Sequence, residues 1–519
     1  MPDIAPQIGE FLSQRDASTV LKIAFLVFWG IAALLVASAP SPRPGKVAYG
    51  LLRVGTAALL AAVLAYQATW QIGGYSKREF VRFLRRYNKR PNAAQMQVKR
   101  SAIMDCRGMV LAAPVPGEVW GRRYPLGEAA VHPVGYFHSR YGITGIERLF
   151  DPVLSGYSDD DSPATRAREI FTPRVTEGKP VTLNLDSRLQ SKAYELMKGR
   201  RGAVVVMRPR SGALLAMVSS PGFDPNDPGP ATADTTALPA INRAAQGRYP
   251  PGSTFKMLIA AAALAEKKSP VFNCPADGYP QRGAPPIRDS EYYAAKRRGG
   301  AWLGWGPLGM TDAMAHSSNV YFAQLGVALG AEAFNQMTAR AGLNEQLPYI
   351  TAPDGSLKSA KGNAPNVAKD AALAQVAIGQ GEILVTPLHI ACFTAAIATD
   401  GTLPRPRLGR DDPLGRLGTL CPPQAAAQVR TLLRAVVTGG TGRNANIPGL
   451  DVCGKTGTAQ VAGAQDHAWF TCFAPQQHPN IVVTVLVENA GFGATAALPV
   501  ACGILEEADR LGYVRKGED

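Results

Sequence analysis

Two apolar runs near the start of the chain constrain it more than any other feature. Residues 21–39 read LKIAFLVFWGIAALLVASA and residues 47–66 read VAYGLLRVGTAALLAAVLAY. Each is long enough, as a helix, to cross the ~30 Å hydrocarbon of a bilayer. The first carries one charge, Lys22, at its edge. The second holds Arg53 well inside, where the side chain has to snorkel. The tail 1–20 contains Asp3, Glu10 and Asp16 against one Arg, unlike the short basic start of a secretory signal. The linker 40–46 has Arg43 and Lys46 and no acid. The positive-inside rule then places the linker in the cytoplasm and both flanks outside. A single crossing, with the other run lying in the interface or against a partner, is the alternative.

Charge follows at once. Residues 71–100 hold nine Lys and Arg against Glu79 alone, a net +8 of the chain's +15. So close to the apolar runs, this basicity suits anionic lipid headgroups better than a nucleic-acid groove. Tyr75, Phe80, Phe83 and Tyr87 fit one face of an amphipathic juxtamembrane helix. No nucleic-acid partner is expected. The six histidines form no His-Glu-x-x-His and the seven cysteines no Cys-x-x-Cys, so a zinc or iron–sulfur cofactor is not expected. The cysteines are too few and scattered for a disulfide framework. Cys453 with Cys472 is the best pair, if their segments are neighbouring strands.

From about residue 101 the pattern is that of a soluble protein. Residues 102–104 and 109–111 flank Asp105-Cys106-Arg107-Gly108 and predict strand, turn, strand. Together with the Gly-, Tyr- and Pro-rich stretch 120–157 they outline a small module, 101–179. A larger unit, 180–515, opens with a strand at 181–185 and a helix at 187–198. Residues 203–207 and 213–218 flank Pro209-Arg210-Ser211-Gly212 and predict a β-hairpin. Helical patterns dominate from 253 to about 400. Strands return at 451–459 and 480–488, and the chain ends in a helix, 498–511. Strands at both ends with helices between predict an α+β fold, an α/β sandwich whose sheet joins its two terminal parts.

Three short motifs carry the candidate chemistry. Ser253-Thr254-Phe255-Lys256 follows Tyr249-Pro250-Pro251-Gly252, which stops a helix, and precedes a strongly helical apolar run. Ser253 is thus expected at a helix N-terminus, with Lys256 one turn on. A serine hydroxyl needs a base to become a nucleophile, and a lysine buried among Phe255, Met257 and the next apolar turn loses affinity for its proton. Ser317-Ser318-Asn319 interrupts a helical region with a hydroxyl and an amide two residues apart. Lys455-Thr456-Gly457-Thr458 reads as a strand on which Gly457 lets a ligand approach the backbone while Lys455, Thr456 and Thr458 meet a carboxylate. Each motif alone also fits a helix cap or an ordinary edge strand.

The three in this order resemble the penicillin-recognising acyl-serine transferases. Arg122-Arg123-Tyr124-Pro125, Val134-Gly135-Tyr136 and Gly142-Ile143-Thr144-Gly145-Ile146-Glu147 resemble the pedestal of class B penicillin-binding proteins. Gly379-Gln380-Gly381, Val385-Thr386-Pro387-Leu388 and Thr441-Gly442 resemble the same family's catalytic domain. The resemblance implies a β-lactamase/transpeptidase-like domain, its sheet flanked by helices, after a β-rich pedestal and N-terminal transmembrane helices. It implies a peptidoglycan D,D-transpeptidase that cross-links stem peptides of lipid II-derived glycan strands and is acylated by β-lactam antibiotics. Ser253 would attack D-Ala-D-Ala and Lys256 take its proton. Ser317 and Lys455 would relay a proton to the leaving D-alanine. Asn319, Thr456, Gly457 and Thr458 would bind substrate, with the N–H groups of Ser253 and Thr458 as the oxyanion hole. The implied setting is the bacterial inner membrane with the catalytic domain outside. The implied partner is a membrane glycosyltransferase of the shape, elongation, division and sporulation (SEDS) family. The alternatives are a β-lactamase or D,D-carboxypeptidase on the same fold, and a non-enzymatic penicillin sensor or scaffold.

Overall fold

Residues 202–220 form the hairpin that their turn chemistry predicts: β1, Gly202–Met207, and β2, Leu214–Ser220. The computed structural model of the chain describes residues 45–68, 100–118, 121–156, 177–281, 283–353 and 355–515. The hairpin joins three C-terminal strands, β3, Cys453–Ala459, β4, His467–Ala474, and β5, Ile481–Val487, in one antiparallel sheet of order β3-β4-β5-β1-β2. The sheet thus ties the two ends of the catalytic unit together, and β3, with its lysine motif, is an edge strand. β4 is absent from the strands read in the sequence. HAWFTCFA is buried on both faces from Ala468 onward, so it lacks the alternation that marks a half-exposed strand.

Six helices frame the catalytic unit: α1, Ser187–Met197; α2, Lys256–Ala265; α3, Asn319–Leu329; α4, Pro387–Ala398; α5, Pro423–Thr438; α6, Gly493–Arg510. Of these α1, α4, α5 and α6 pack on the sheet, while α2 packs on α5 and α3 on α2. Alternation along β1 decides which face meets which helix. Val204 and Val206 point into a core with Leu189 and Met197 of α1 and Leu498 and Leu505 of α6. Ala203, Val205 and Met207 point into the larger core with Met257 of α2, Phe393 of α4 and Leu433 of α5. Asp186 starts α1 by accepting the Arg188 N–H. α4 is buried at every position, which only an Ala-, Ile- and Phe-rich sequence allows. The stretch 253–400 is less helical than its pattern suggests. It includes three two-stranded ribbons, Phe272–Pro275 with Gly304–Leu308, Tyr279–Gln281 with Ala284–Ile287, and Pro348–Ala352 with Gly355–Lys358.

The small module holds a four-stranded sheet of Arg122–Arg123, Val110–Pro114, Ile103–Met104 and Val181–Thr182. Val181–Thr182, expected to open the catalytic unit, instead pairs in parallel with Ile103–Met104. Glu147 is fully buried between Arg100 Nε (2.7 Å) and Arg122 Nε (2.6 Å), and Arg100 also pairs with Asp151. Burial alone would raise the Glu147 carboxyl, but the two guanidiniums outweigh it and hold it below its ordinary value. Arg100, counted in the sequence with the basic stretch, therefore sits inside this module. The described residues from 100 onward belong to one compact unit.

The other unit contributes one described element, the helix Lys46–Ala68. Leu51, Leu52, Val54, Leu60 and Val63 are exposed on it, and the Arg53 guanidinium lies over the Tyr49 ring, 5.4 Å away. Among the described residues no helix is long and apolar enough to cross a membrane. The tail 1–20, the first apolar run and residues 71–99 lie outside the described residues. All seven cysteines are free. Cys453 pairs with Phe473 and Cys472 with Gly454, so the two thiols point to opposite faces of the sheet.

Candidate active site

The serine motif begins where Pro250-Pro251-Gly252 has ended one course of the chain. Residues Gly252–Phe255 form a 3₁₀ turn and α2 starts only at Lys256, so the expected helix N-terminus is tighter than an α-turn. The turn is clamped from three sides. Trp469 Nε1 on β4 donates to Pro250 O (3.0 Å). Gly252 N donates to Gly379 O (2.9 Å). Tyr249 OH donates to Glu488, which also accepts from Arg243. Gly252 itself has φ +53°, and a Cβ there would stand 2.4 Å from Thr458 O, which brings the lysine-motif strand against the serine turn. Ser253 is half-buried.

The other two motifs meet at Lys256. Its ammonium is fully buried and donates to Ser317 O (2.7 Å) and Asn319 Oδ1 (2.7 Å), with Ser317 Oγ at 3.4 Å. Lys455, also fully buried, donates to the same Ser317 Oγ at 2.7 Å. Ser317 is left-handed (φ +59°), a conformation that turns both its carbonyl and its hydroxyl toward the lysines. Two ammonium groups thus share one hydroxyl away from water. Burial pulls Lys256 down to about 7, against the pull of Asp289 and Glu291 in the other direction. Burial, and then the Lys256 charge, push Lys455 well below the ordinary lysine range. No hydrogen bond joins Ser253 Oγ to Lys256 Nζ in this state; such contacts often tighten only around a substrate.

Strand alternation separates the third motif's side chains. Lys455 and Gly457 point one way, Thr456 and Thr458 the other. Thr456 Oγ1 lies 2.7 Å from Thr441 Oγ1. Gly457 corrects the sequence reading. A Cβ there would meet Thr254 Cγ2 at 2.8 Å and Trp469 Cβ at 3.0 Å, so the missing side chain makes room for the serine turn rather than for a ligand. Sequence reasoning missed Asp289 altogether. Its carboxylate accepts from Ser318 Oγ (2.9 Å), from Asn319 N and from Val320 N (3.1 Å). Among the described residues no three His, Cys, Asp or Glu side chains gather as a metal group.

A hydroxyl on a rigid turn, a base of neutral affinity and a second lysine on a shared hydroxyl form the equipment of acyl transfer through a serine. Residues 202–506 match the family described as penicillin binding protein transpeptidase domain. This chain belongs to that family. Residues 100–181 match the penicillin binding protein A dimerisation domain. A relative in Mycobacterium tuberculosis, peptidoglycan D,D-transpeptidase PbpA, is 33% identical over 427 residues, covering 75% of this chain and 84% of that one. The MrdA D,D-transpeptidase of Haemophilus influenzae is 29% identical, covering 80% and 73%. Penicillin-binding protein A from M. tuberculosis, solved as a ceftriaxone acyl-enzyme complex, superposes with a TM-score of 0.68. That match has 30% identity and covers 80% of this chain and 99% of that one. The three motifs of this chain are the ones gathered at Lys256 and Ser317.

Proposed function

We infer that the chain is a peptidoglycan D,D-transpeptidase of the class B penicillin-binding protein type. The observation that carries the reading is the buried pair Lys256 and Lys455 on Ser317, beside a serine turn fixed by three other segments. In the forward step Lys256, partly neutral near pH 7, takes the Ser253 proton while Oγ attacks the carbonyl of the penultimate D-alanine. The oxyanion is held by the N–H groups of Ser253 and Thr458. The C–N bond breaks, and the departing amine receives its proton through Ser317 and Lys455. Asn319 holds the substrate amide, and Thr456 and Thr458 hold the terminal carboxylate. An amine of a neighbouring stem peptide then attacks the acyl-enzyme, which forms the cross-link and frees Ser253. A β-lactam enters the same first step, but its leaving amine stays tethered and the ester persists. Two readouts test this together. Mass spectrometry of penicillin-treated protein is expected to find the adduct on Ser253. Glycan strands with D-Ala-D-Ala stems are expected to give cross-linked dimers and free D-alanine. An adduct elsewhere overturns the nucleophile, and hydrolysed monomers alone overturn the transpeptidase in favour of a carboxypeptidase.

The same reading anchors the chain in the bacterial inner membrane through 21–39, with 47–66 as a second crossing packed against a partner or as a segment lying in the interface, the catalytic unit outside and a SEDS-family glycosyltransferase supplying the strands. Supporting it are the basic linker 40–46, the acidic tail and the exposed leucines and valines of the helix Lys46–Ala68. Arg53, stacked on Tyr49, has to snorkel or meet a partner helix. With the native cysteines replaced, a cysteine at position 8 is expected to react with a membrane-impermeant maleimide in spheroplasts, and one at position 42 to be protected. The reverse pattern rules out two crossings. Co-purification of the membrane complex checks the partner.

A further inference from the structure

Asp289 occupies the position before the helix Ser290–Arg297, where an aspartate ordinarily caps its own helix. It makes no such cap. Its carboxylate, 1% exposed, reaches instead to the start of α3, thirty residues on. There it accepts from the backbone N–H groups of Asn319 and Val320 and from Ser318 Oγ. Ser318 Oγ in turn accepts from Tyr321 N, so the aspartate and the serine together satisfy the first amides of α3. Arg288, the residue before, accepts from Asn319 Nδ2 through its carbonyl (2.9 Å). Asn319 is therefore held at its backbone by Asp289 and at its side-chain nitrogen by Arg288. That fixes the amide's orientation and leaves Oδ1 facing Lys256 Nζ.

We propose that Asp289 is a positioning residue for the serine chemistry: it caps α3 in trans and, through Asn319 and Ser317, sets where the Lys256 amine stands. The role deepens the acyl-serine reading and rests on it. A buried carboxylate could have served its own helix with less consequence. Two of its three bonds go to Ser318 and Asn319 of the Ser-x-Asn motif and the third to the next residue, Val320, and none goes to the segment that carries it. The charged groups that face Lys256 are Asp289, Glu291 and Lys455, and Cys274 faces Asp289. Removing the Asp289 charge removes one of the two influences that keep the Lys256 proton on.

The test is the Asp289→Asn variant of the full chain, with acylation by a fluorescent penicillin followed across pH and thermal melting measured alongside. Asparagine keeps the shape and one oxygen for the two backbone amides, but it loses the charge and places an NH₂ group where Ser318 Oγ now donates, so the cap is disturbed at the serine. The acylation rate constant is expected to fall about 10- to 100-fold at neutral pH, the scale of a displacement of about 1 Å at a reacting group. The acid limb of the profile is expected to move to lower pH, with the melting temperature within about 3 °C of wild type. A wild-type rate and profile overturn the proposal. So does a loss of rate that tracks a loss of melting temperature with the acid limb unmoved, because that is a general loosening. If Asp289→Asn fails to fold, Ser318→Ala removes the hydroxyl's bonds to Asp289 and to Tyr321 N and leaves the charge. It is expected to slow acylation without moving the limb, and a wild-type rate in it overturns the proposal. An adduct found away from Ser253 would fail the acyl-serine reading instead, so the two failures are distinct.

Discussion

Lys256→Arg is expected to acylate almost as slowly as Lys256→Ala, about 10³-fold below wild type in each case, within the range general-base catalysis supplies. Arginine keeps the positive charge and can still donate toward Ser317 and Asn319, so a purely electrostatic role would tolerate it. It cannot give up a proton near neutral pH. Lys256 can, because burial has brought it to about 7. The sign of the pH dependence follows. The base works only when neutral, so the wild-type acylation rate rises as pH climbs through about 7. The limb is missing in both variants. Stopped-flow acylation by a fluorescent penicillin at a series of pH values checks both points. An arginine variant close to wild type, or a wild-type rate flat from about pH 6 to about pH 8, would sink the base assignment.

How far the sequence alone reached depends on whether a contact is local. Ser253 and Lys256 are three residues apart, and Pro250-Pro251-Gly252 marks the break before them, so their placement was legible. The pairing of β1 with β5 was legible in outline, because strand patterns at both ends of a helical stretch imply a sheet that closes over it. β4 was not, because a strand buried on both faces has no period to read. Gly457 was read from its own strand as space for a ligand, whereas its neighbours Thr254 and Trp469 come from other segments. Asp289 was the least legible. In sequence it looks like the cap of the helix that follows it, and only the tertiary arrangement shows which helix it serves. Arg100 failed for a related reason. Charge counting treats a run as one surface, while the fold takes its last member into a buried ion cluster. The common thread is that period and spacing report a residue's own element, and the chemistry here is assembled between elements.

The Gly379-Gln380-Gly381 turn offers a sharper case, because two glycines with nearly the same backbone differ in what stands beside them. Gly379 has φ +76° and Gly381 φ +77°. Alanine at either position meets the cost of a left-handed residue, about 1–2 kcal/mol. A Cβ on Gly381 would find only Gln375 and Val376 side-chain atoms at 3.8 Å, an ordinary contact. A Cβ on Gly379 would stand 1.9 Å from Gly252 O and 2.6 Å from Gly252 C. Those atoms are backbone and cannot swing aside, so the serine turn itself has to move. Gly252 also donates its N–H to Gly379 O, and that bond goes with the displacement. Gly381→Ala is therefore expected to lower the melting temperature and leave the acylation rate near wild type. Gly379→Ala is expected to lower both, with acylation down about 10²-fold, as for a nucleophile shifted by about 1 Å. Thermal melting and penicillin acylation on the two variants separate backbone strain from displacement of Ser253. Equal acylation rates in the pair would show that the approach of Gly379 to Gly252 does not hold the nucleophile.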